Sequence, residues 1–232
     1  MQVEIWSDVV CPWCYVGKRR FEAALDRFDG KEDVEITWRS FELDPSAPRV
    51  TGEDMATRLS KKYQMSRDEA IDSMASIAAL ARVEGLDYHL ESAKQGNSFD
   101  AHRLIQLASL NGLGNQMKER LLRAYFTESL EISDPDVLAE LGGEVGLDKR
   151  DIREMYASDY MAENVRNDEA LASRYGINGV PFFVFDSKYG VSGAQPTEVF
   201  LEVLNRVDEE ASSAYPDGDV SAKSCSEDSC SI

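Results

Sequence analysis

Basic residues are what this chain has in short supply. Of its 232 residues, 25 are Lys or Arg and 43 are Asp or Glu, a net charge of −18. No basic stripe or Lys/Arg cluster interrupts that balance, so neither nucleic acid nor an anionic membrane is expected as a partner. Long apolar runs are missing too; none approaches the ~20 residues that a bilayer-spanning helix needs. Met1 to Asp8 has no basic start followed by an apolar stretch. No secretory signal is visible, and a cytoplasmic location is expected. Histidine is scarce, with two residues, and there are four cysteines. A structural zinc site takes four ligands, commonly one Cys-x-x-Cys and a second knuckle. The remaining sulfurs, Cys225 and Cys230, stand at the far end of the chain from Cys11 and Cys14. No metal is therefore expected, although a zinc-dependent interaction module is the rival reading of the four sulfurs. Hydrophobic content of 43% and charged content of 29% are ordinary for a soluble globular protein.

What is present is concentrated near the start. An apolar run, Glu4-Ile5-Trp6-Ser7-Asp8-Val9-Val10, leads into Cys11-Pro12-Trp13-Cys14, and a helical pattern opens there. Two thiols at that spacing, after a strand and at a helix start, form the working unit of a thiol–disulfide oxidoreductase. Helix N-terminal amides favour negative charge, which predicts an acidic, accessible Cys11. Thiolate attacks disulfides, and Cys14, one turn on and buried, is placed to resolve a mixed disulfide. Pro12 suits the first helical position, where a missing N–H costs nothing. Asp8, three residues before Cys11, reads as a cap of the helix start.

The chain divides by periodicity. Gln2 to Ser7 reads as a strand, Trp13 to Phe28 as a helix, and the alternating Val34 to Phe41 as a second strand parallel to the first. From Asp44 to Gly176 the period is helical. Ser66-x-x-Glu69 is a capping box opening one helix. Others run over Phe99 to Asn111, Gln116 to Thr127, from Asp134-Pro135 to Gly146, briefly from Asp148, and over Ala162 to Tyr175. Phe182 to Phe185 and Tyr189 to Ser192 form a hairpin, and Thr197 to Glu210 a last helix. Beyond Ala211 the chain is rich in Ser, Asp and Gly and is expected to be mobile.

Cys11-Pro12-Trp13-Cys14-Tyr15-Val16-Gly17-Lys18, Ala101-His102-Arg103-Leu104 and Gly179-Val180-Pro181-Phe182-Phe183-Val184 stand in that order. In these three segments the chain resembles the DsbA-related, FrnE-type family. Relatives of that family include kappa-class glutathione transferases and 2-hydroxychromene-2-carboxylate isomerases. The resemblance runs from the first strand to about Leu204. It implies an α/β, thioredoxin-like fold with an inserted all-helical domain. Residues 1–43 and 177–210 would form the thioredoxin-like part, 44–176 the insertion, and 211–232 a flexible tail. It also implies a cis peptide bond before Pro181, facing the cysteines.

On this reading Cys11 and Cys14 are catalytic, and Pro12, Trp13, Val180, Pro181, His102 and Arg103 bind substrate. The Val180 backbone can pair with an extended peptide. Without the resemblance, His102 reads as a satisfied core residue and Arg103 as part of a solvated face. The tail pair Cys225-x-x-x-x-Cys230 is either incidental or a second redox pair. The expected activity is protein thiol–disulfide exchange, with isomerase activity left open. It acts on a protein or small-molecule thiol or disulfide, needs no cofactor, and requires a redox partner to recycle the dithiol. The alternative is a small-molecule isomerase or transferase using a bound thiol cofactor. Serine at position 11 would favour it, as would an acid within Ser192-Gly193-Ala194-Gln195, and this chain has neither.

Overall fold

The computed structural model of the protein describes residues 1–50 and 52–214. A four-stranded sheet is built from β1 (Gln2–Ser7), β2 (Glu35–Ser40), β3 (Phe182–Phe185) and β4 (Tyr189–Ser192), in the order β2-β1-β3-β4. β1 pairs with β2 in parallel, with Ile5 opposite Trp38. It pairs with β3 antiparallel, with Ile5 opposite Phe183. β1 is thus central, which is why Ile5, Trp6 and Ser7 are all buried, beyond any alternating pattern.

Helix α1 (Pro12–Leu25) makes the crossover between the two parallel strands. One face of the sheet meets α1 and the last helix, α9 (Thr197–Ala214). Phe21 of α1 sits 5.5 Å from Phe183 and 5.8 Å from Phe200 of α9, centroid to centroid. Each such ring contributes about 1.5–3 kcal/mol by burial alone. Residues 211–214, read from sequence as the start of the tail, instead continue α9.

Between β2 and β3 come α2 (Met55–Tyr63), α3 (Arg67–Val83), α4 (Phe99–Leu110), α5 (Gly114–Phe126), α6 (Pro135–Val145), α7 (Lys149–Tyr156) and α8 (Ala162–Arg174). The capping box at Ser66 and Glu69 is formed in both directions. Helix α2 has no counterpart in the sequence reading. Its signals are local: Asp54 accepts the Thr57 N–H as N-cap, and Gln64 ends it in a left-handed conformation at φ 53°.

The inserted helices are bonded to the second face of the sheet. The Trp6 indole donates to the carbonyl of Asp168 on α8 at 3.0 Å. The Asp168 carboxylate accepts from the Ser40 N–H at 2.8 Å, Arg39 Nη1 at 2.9 Å and Gln106 Nε2 at 2.6 Å. Helices α4 and α5 also pack against β2, so the helical insertion comes up behind the end of β1 from which α1 departs.

Candidate active site

Cys11 is the N-cap of α1, and its side chain makes no capping bond. Its thiol instead donates to the Val180 carbonyl, Sγ to O 3.5 Å. The Val180–Pro181 peptide is cis. Gly17, one turn beyond Cys14, allows this approach: a Cβ there would lie 2.9 Å from Pro181 Cγ. Both sulfurs are buried, Cys11 at 4% and Cys14 at 1% exposure. Cys11 faces a cavity of about 710 Å³ whose lining includes Pro12, Trp13 and Val180. Cys14 lies deeper. The far wall of that cavity comes from α2 and α3, with Met55, Leu59, Met74 and Ile77 turned into it.

Three buried polar residues support the pair from beneath. Asp8 does not cap the helix as its spacing suggests. It is fully buried, accepts the Leu43 N–H at 2.8 Å, and lies 3.3 Å from His102 Nε2. Burial works to raise its carboxyl, but the His102 hydrogen bond and charge, the Leu43 amide and Lys118 bring it below the ordinary value. Lys118 of α5 enters from the inserted domain. Its ammonium donates to the Ser7 carbonyl at 3.0 Å and stands 5.5 Å from the Trp38 ring centre. Burial pushes Lys118 down to about 8, against the upward pull of Cys14, Asp8 and Cys11.

The thiols titrate as a pair, not as one acidic Cys11. The hydrogen bond with Cys14 raises Cys11 well above a free thiol, and burial and the charges of Cys14 and Asp8 add to it. Burial also works against Cys14, but the hydrogen bond from Cys11, the Lys118 charge and the Ser7 hydroxyl carry it lower. Ionisation of the pair is therefore eased on the Cys14 side, where the buried cation lies. The expectation from the helix terminus alone missed this because Asp8 turns inward and a lysine arrives from a distant helix.

Tyr88, in the loop between α3 and α4, was not expected here. Its hydroxyl donates to the Pro12 carbonyl at 2.7 Å, and its ring stacks on Phe126 at 4.7 Å. His102 lies against Asp8 under the cysteines. Arg103 points away. It donates to Asp100 Oδ1 at 2.9 Å and to the Tyr160, Met155 and Ser158 carbonyls, closing the turn between α7 and α8. Cys225 and Cys230 lie outside the described residues. Among the described residues, no three His, Cys, Asp or Glu side chains cluster to hold a metal, and no helix is long and apolar enough to cross a membrane.

The sequence profile of the DSBA-like thioredoxin domain matches residues 2–205. The chain belongs to that family. The Bacillus subtilis protein YwbO, itself uncharacterized, is 30% identical over 210 residues, covering 88% of this chain and 96% of its own. A crystal structure described as a probable DsbA oxidoreductase from Streptomyces coelicolor is 40% identical. It covers 100% of this chain and 99% of its own, with a TM-score of 0.87. The cytosolic disulfide reductase DsbM from Pseudomonas aeruginosa shares the fold, at 19% identity, a TM-score of 0.60, and coverage of 92% of this chain and 98% of its own. The thioredoxin-like DsbA fold and a place among DsbA-like thiol–disulfide oxidoreductases, which act on thiol substrates, follow from the family. The 2-hydroxychromene-2-carboxylate isomerase fold is similar at a TM-score of 0.66 and 12% identity, covering 92% of this chain and 99% of its own.

Proposed function

We propose that the chain is a FrnE-type thiol–disulfide oxidoreductase in which Cys11 exchanges with a client and Cys14 resolves the product. The observation that carries this is the position of Cys11 Sγ, 3.5 Å from the carbonyl before a cis proline and on the wall of a large apolar cavity. A client disulfide entering that cavity meets the Cys11 sulfur first. The Cys11 thiolate attacks one client sulfur, the client S–S bond breaks, and its electron pair leaves on the other client sulfur. Cys14 then attacks Cys11, closing the protein disulfide and releasing the second client thiolate. Run backwards, the same steps oxidise a client dithiol. Either direction needs a redox partner to recycle the pair.

An extended client can add along the Val180 backbone edge, with one side chain lowered between Met55, Met74 and Ile77. Methionines adapt to varied apolar shapes, which suits either a range of peptide clients or a small disulfide. Pro12, Trp13, Val180 and Pro181 bound the entry. His102 acts from below through Asp8. Cys225 and Cys230 form a second pair that exchanges with Cys11 and Cys14.

The test uses serine variants and a protein disulfide such as insulin. Cys11→Ser should abolish turnover, and Cys14→Ser should accumulate mixed disulfides through Cys11, mapped by mass spectrometry. Turnover that survives in Cys11→Ser, or adducts mapped to Cys14 in the reduced wild-type protein ahead of Cys11, would reject the assignment.

A further inference from the structure

Helix α2 turns one stripe of side chains into the cavity that Cys11 faces. Met55, Arg58, Leu59, Lys62 and Tyr63 follow an i, i+3, i+4, i+7, i+8 spacing, and all five line it. The stripe climbs from buried Met55 to Tyr63, which is 58% exposed. A stripe packed against a core would be apolar throughout. Here two positions are cationic, about 6 Å apart along the helix axis, and α2 carries no Asp or Glu. Arg58 donates from Nη2 to Asp44 Oδ2 at 2.8 Å, and its other N–H groups make no bond among the described residues. Lys62 makes no ion pair among the described residues, and its ammonium stands 5.6 Å from the Tyr63 ring centre. The last turn of a helix favours cations whatever they face. Lys61 answers to that alone, since it pairs with Glu53 outside the cavity. Arg58 and Lys62 face the space that a client enters. Two carboxylates share the lining, but Asp8 is buried and engaged by His102 and the Leu43 amide, and Asp44 is paired. Asp44 shows what the two cations do to an anion there. Its carboxyl lies below the ordinary value, first through the Ser46 hydrogen bond and then, against slight burial, through Arg58 and Lys62.

We propose that Arg58 and Lys62 form a carboxylate subsite on the client-facing wall, so that the preferred clients are apolar segments with an Asp or Glu close to the cysteine. This rests on the reading of the cavity as the place where a client meets Cys11. The chain's net charge of −18 repels acidic proteins at a distance. The subsite reverses that preference at contact, for one carboxylate in an otherwise apolar segment. Two cations are too few to hold a nucleic acid. Arg58 is anchored by Asp44 and keeps donors for a second carboxylate, and Lys62 brings the charge that nothing in the fold offsets. The client carboxylate stands apart from the exchanging sulfurs, so it is held equally before and during exchange. It strengthens client binding and leaves the chemical step as it is.

Competition between peptides reads the preference directly. Capped apolar peptides of about eight residues carry one cysteine, protected as the mixed disulfide with 2-mercaptoethanol. They are identical except for Glu, Gln or Lys at one position, which is moved through the two places on either side of the cysteine. Limiting reduced full-length protein carrying Cys225→Ser and Cys230→Ser is offered each equimolar trio, and the thiols released are counted by mass spectrometry after acid quenching. At one of these positions or more, the Glu peptide should be consumed roughly fivefold or more faster than its Gln twin. The Lys peptide should be slower still, and the ratio should fall towards one in about 1 M NaCl. Lys62→Glu should reverse the order. Lys61→Glu makes the same change in net charge outside the cavity and should keep it. Equal consumption of Glu and Gln peptides at every position would overturn the proposal, as would equal shifts in Lys62→Glu and Lys61→Glu. If no peptide is reduced, or if Cys11→Ser reduces them as fast, the reading of Cys11 itself fails and the proposal with it.

Discussion

Glu119→Gln tests whether the inserted domain is fastened electrostatically to the helix that bears the cysteines. Glu119 on α5 accepts from the Tyr15 hydroxyl at 2.6 Å and Arg19 Nη1 at 3.0 Å, and lies 2.8 Å from Lys18 Nζ, all on α1. Burial opposes its charge, but the Arg19 hydrogen bond and Lys18 outweigh this and hold the carboxyl at about 2 instead of 4.5. At about 1.4 kcal/mol per unit, that difference corresponds to roughly 3 kcal/mol. The Glu119 side chain is 31% exposed, so solvent screening brings the expected contribution to about 2 kcal/mol. The folded-state value is depressed, so this stability is complete above pH ~4.5 and is lost as pH falls towards ~2. Urea unfolding at pH 7 should show the variant less stable by about 2 kcal/mol. At pH 3 the gap should narrow to about 1 kcal/mol, and near pH 2 it should close. A gap constant from pH 7 to pH 3 would refute an ionic origin. A gap below about 0.5 kcal/mol throughout would show the cluster to be no stronger than an ordinary surface pair.

Asp8→Asn removes a negative charge that raises Cys11, so iodoacetamide should alkylate Cys11 several-fold faster at pH 7, read by peptide mass spectrometry; an unchanged rate would show that Asp8 does not reach the sulfur electrostatically. Tyr88→Phe leaves the Pro12 carbonyl without the hydroxyl 2.7 Å away and should cost about 1 kcal/mol, with a measurable change in the Cys11–Cys14 equilibrium against glutathione. Gly17→Ala brings a Cβ to 2.9 Å from Pro181 Cγ. It should lower the melting temperature by a few degrees and slow insulin reduction more than it slows reaction with a small disulfide, because the peptide-binding edge is displaced. Truncation after Ala214 should leave the melting temperature unchanged while slowing turnover with a dithiol or disulfide client; turnover at the full rate would mean that Cys225 and Cys230 are incidental.

The sheet was legible because its signals are local. The hairpin strands Phe182–Phe185 and Tyr189–Ser192 stand where the alternation and the intervening turn put them. The capping box at Ser66 and Glu69 opens α3 at the residue that it predicts. Helix α2 escaped because its cap is a single Asp54 and its apolar stripe is thin, with two buried residues, Met55 and Ala56. The cysteine pair and the proline before β3 were visible as motifs. Two of the groups set around them, Lys118 and Tyr88, were not, since each comes from far along the chain. Lys118 did leave a trace: it shares an i, i+3, i+4, i+7 stripe with Leu121, Leu122 and Tyr125, all buried. A lysine on such a stripe is read as a snorkelling surface residue unless tertiary packing closes over it. Asp8 was misread because a carboxylate just before a helix is so often a cap, and the burial of β1's end turns it the other way. Arg103 shares a motif with His102, but adjacent helix positions face apart, so only one of the two reaches the site.

The central place of β1 has a consequence on the ribosome. β1 emerges first, and its parallel partner β2 follows within a few dozen residues. Its antiparallel partner β3, and with it the Val180 carbonyl that covers the Cys11 thiol, lies ~170 residues later, a delay of about 10–30 s at ordinary elongation rates. Through that interval the nascent chain carries Cys11 and Cys14 without their proline wall, and for most of it without Lys118 beneath them. Synthesis under oxidising conditions therefore threatens this protein before it is complete, whereas in the finished chain Cys14 is covered and Cys11 opens only onto the cavity.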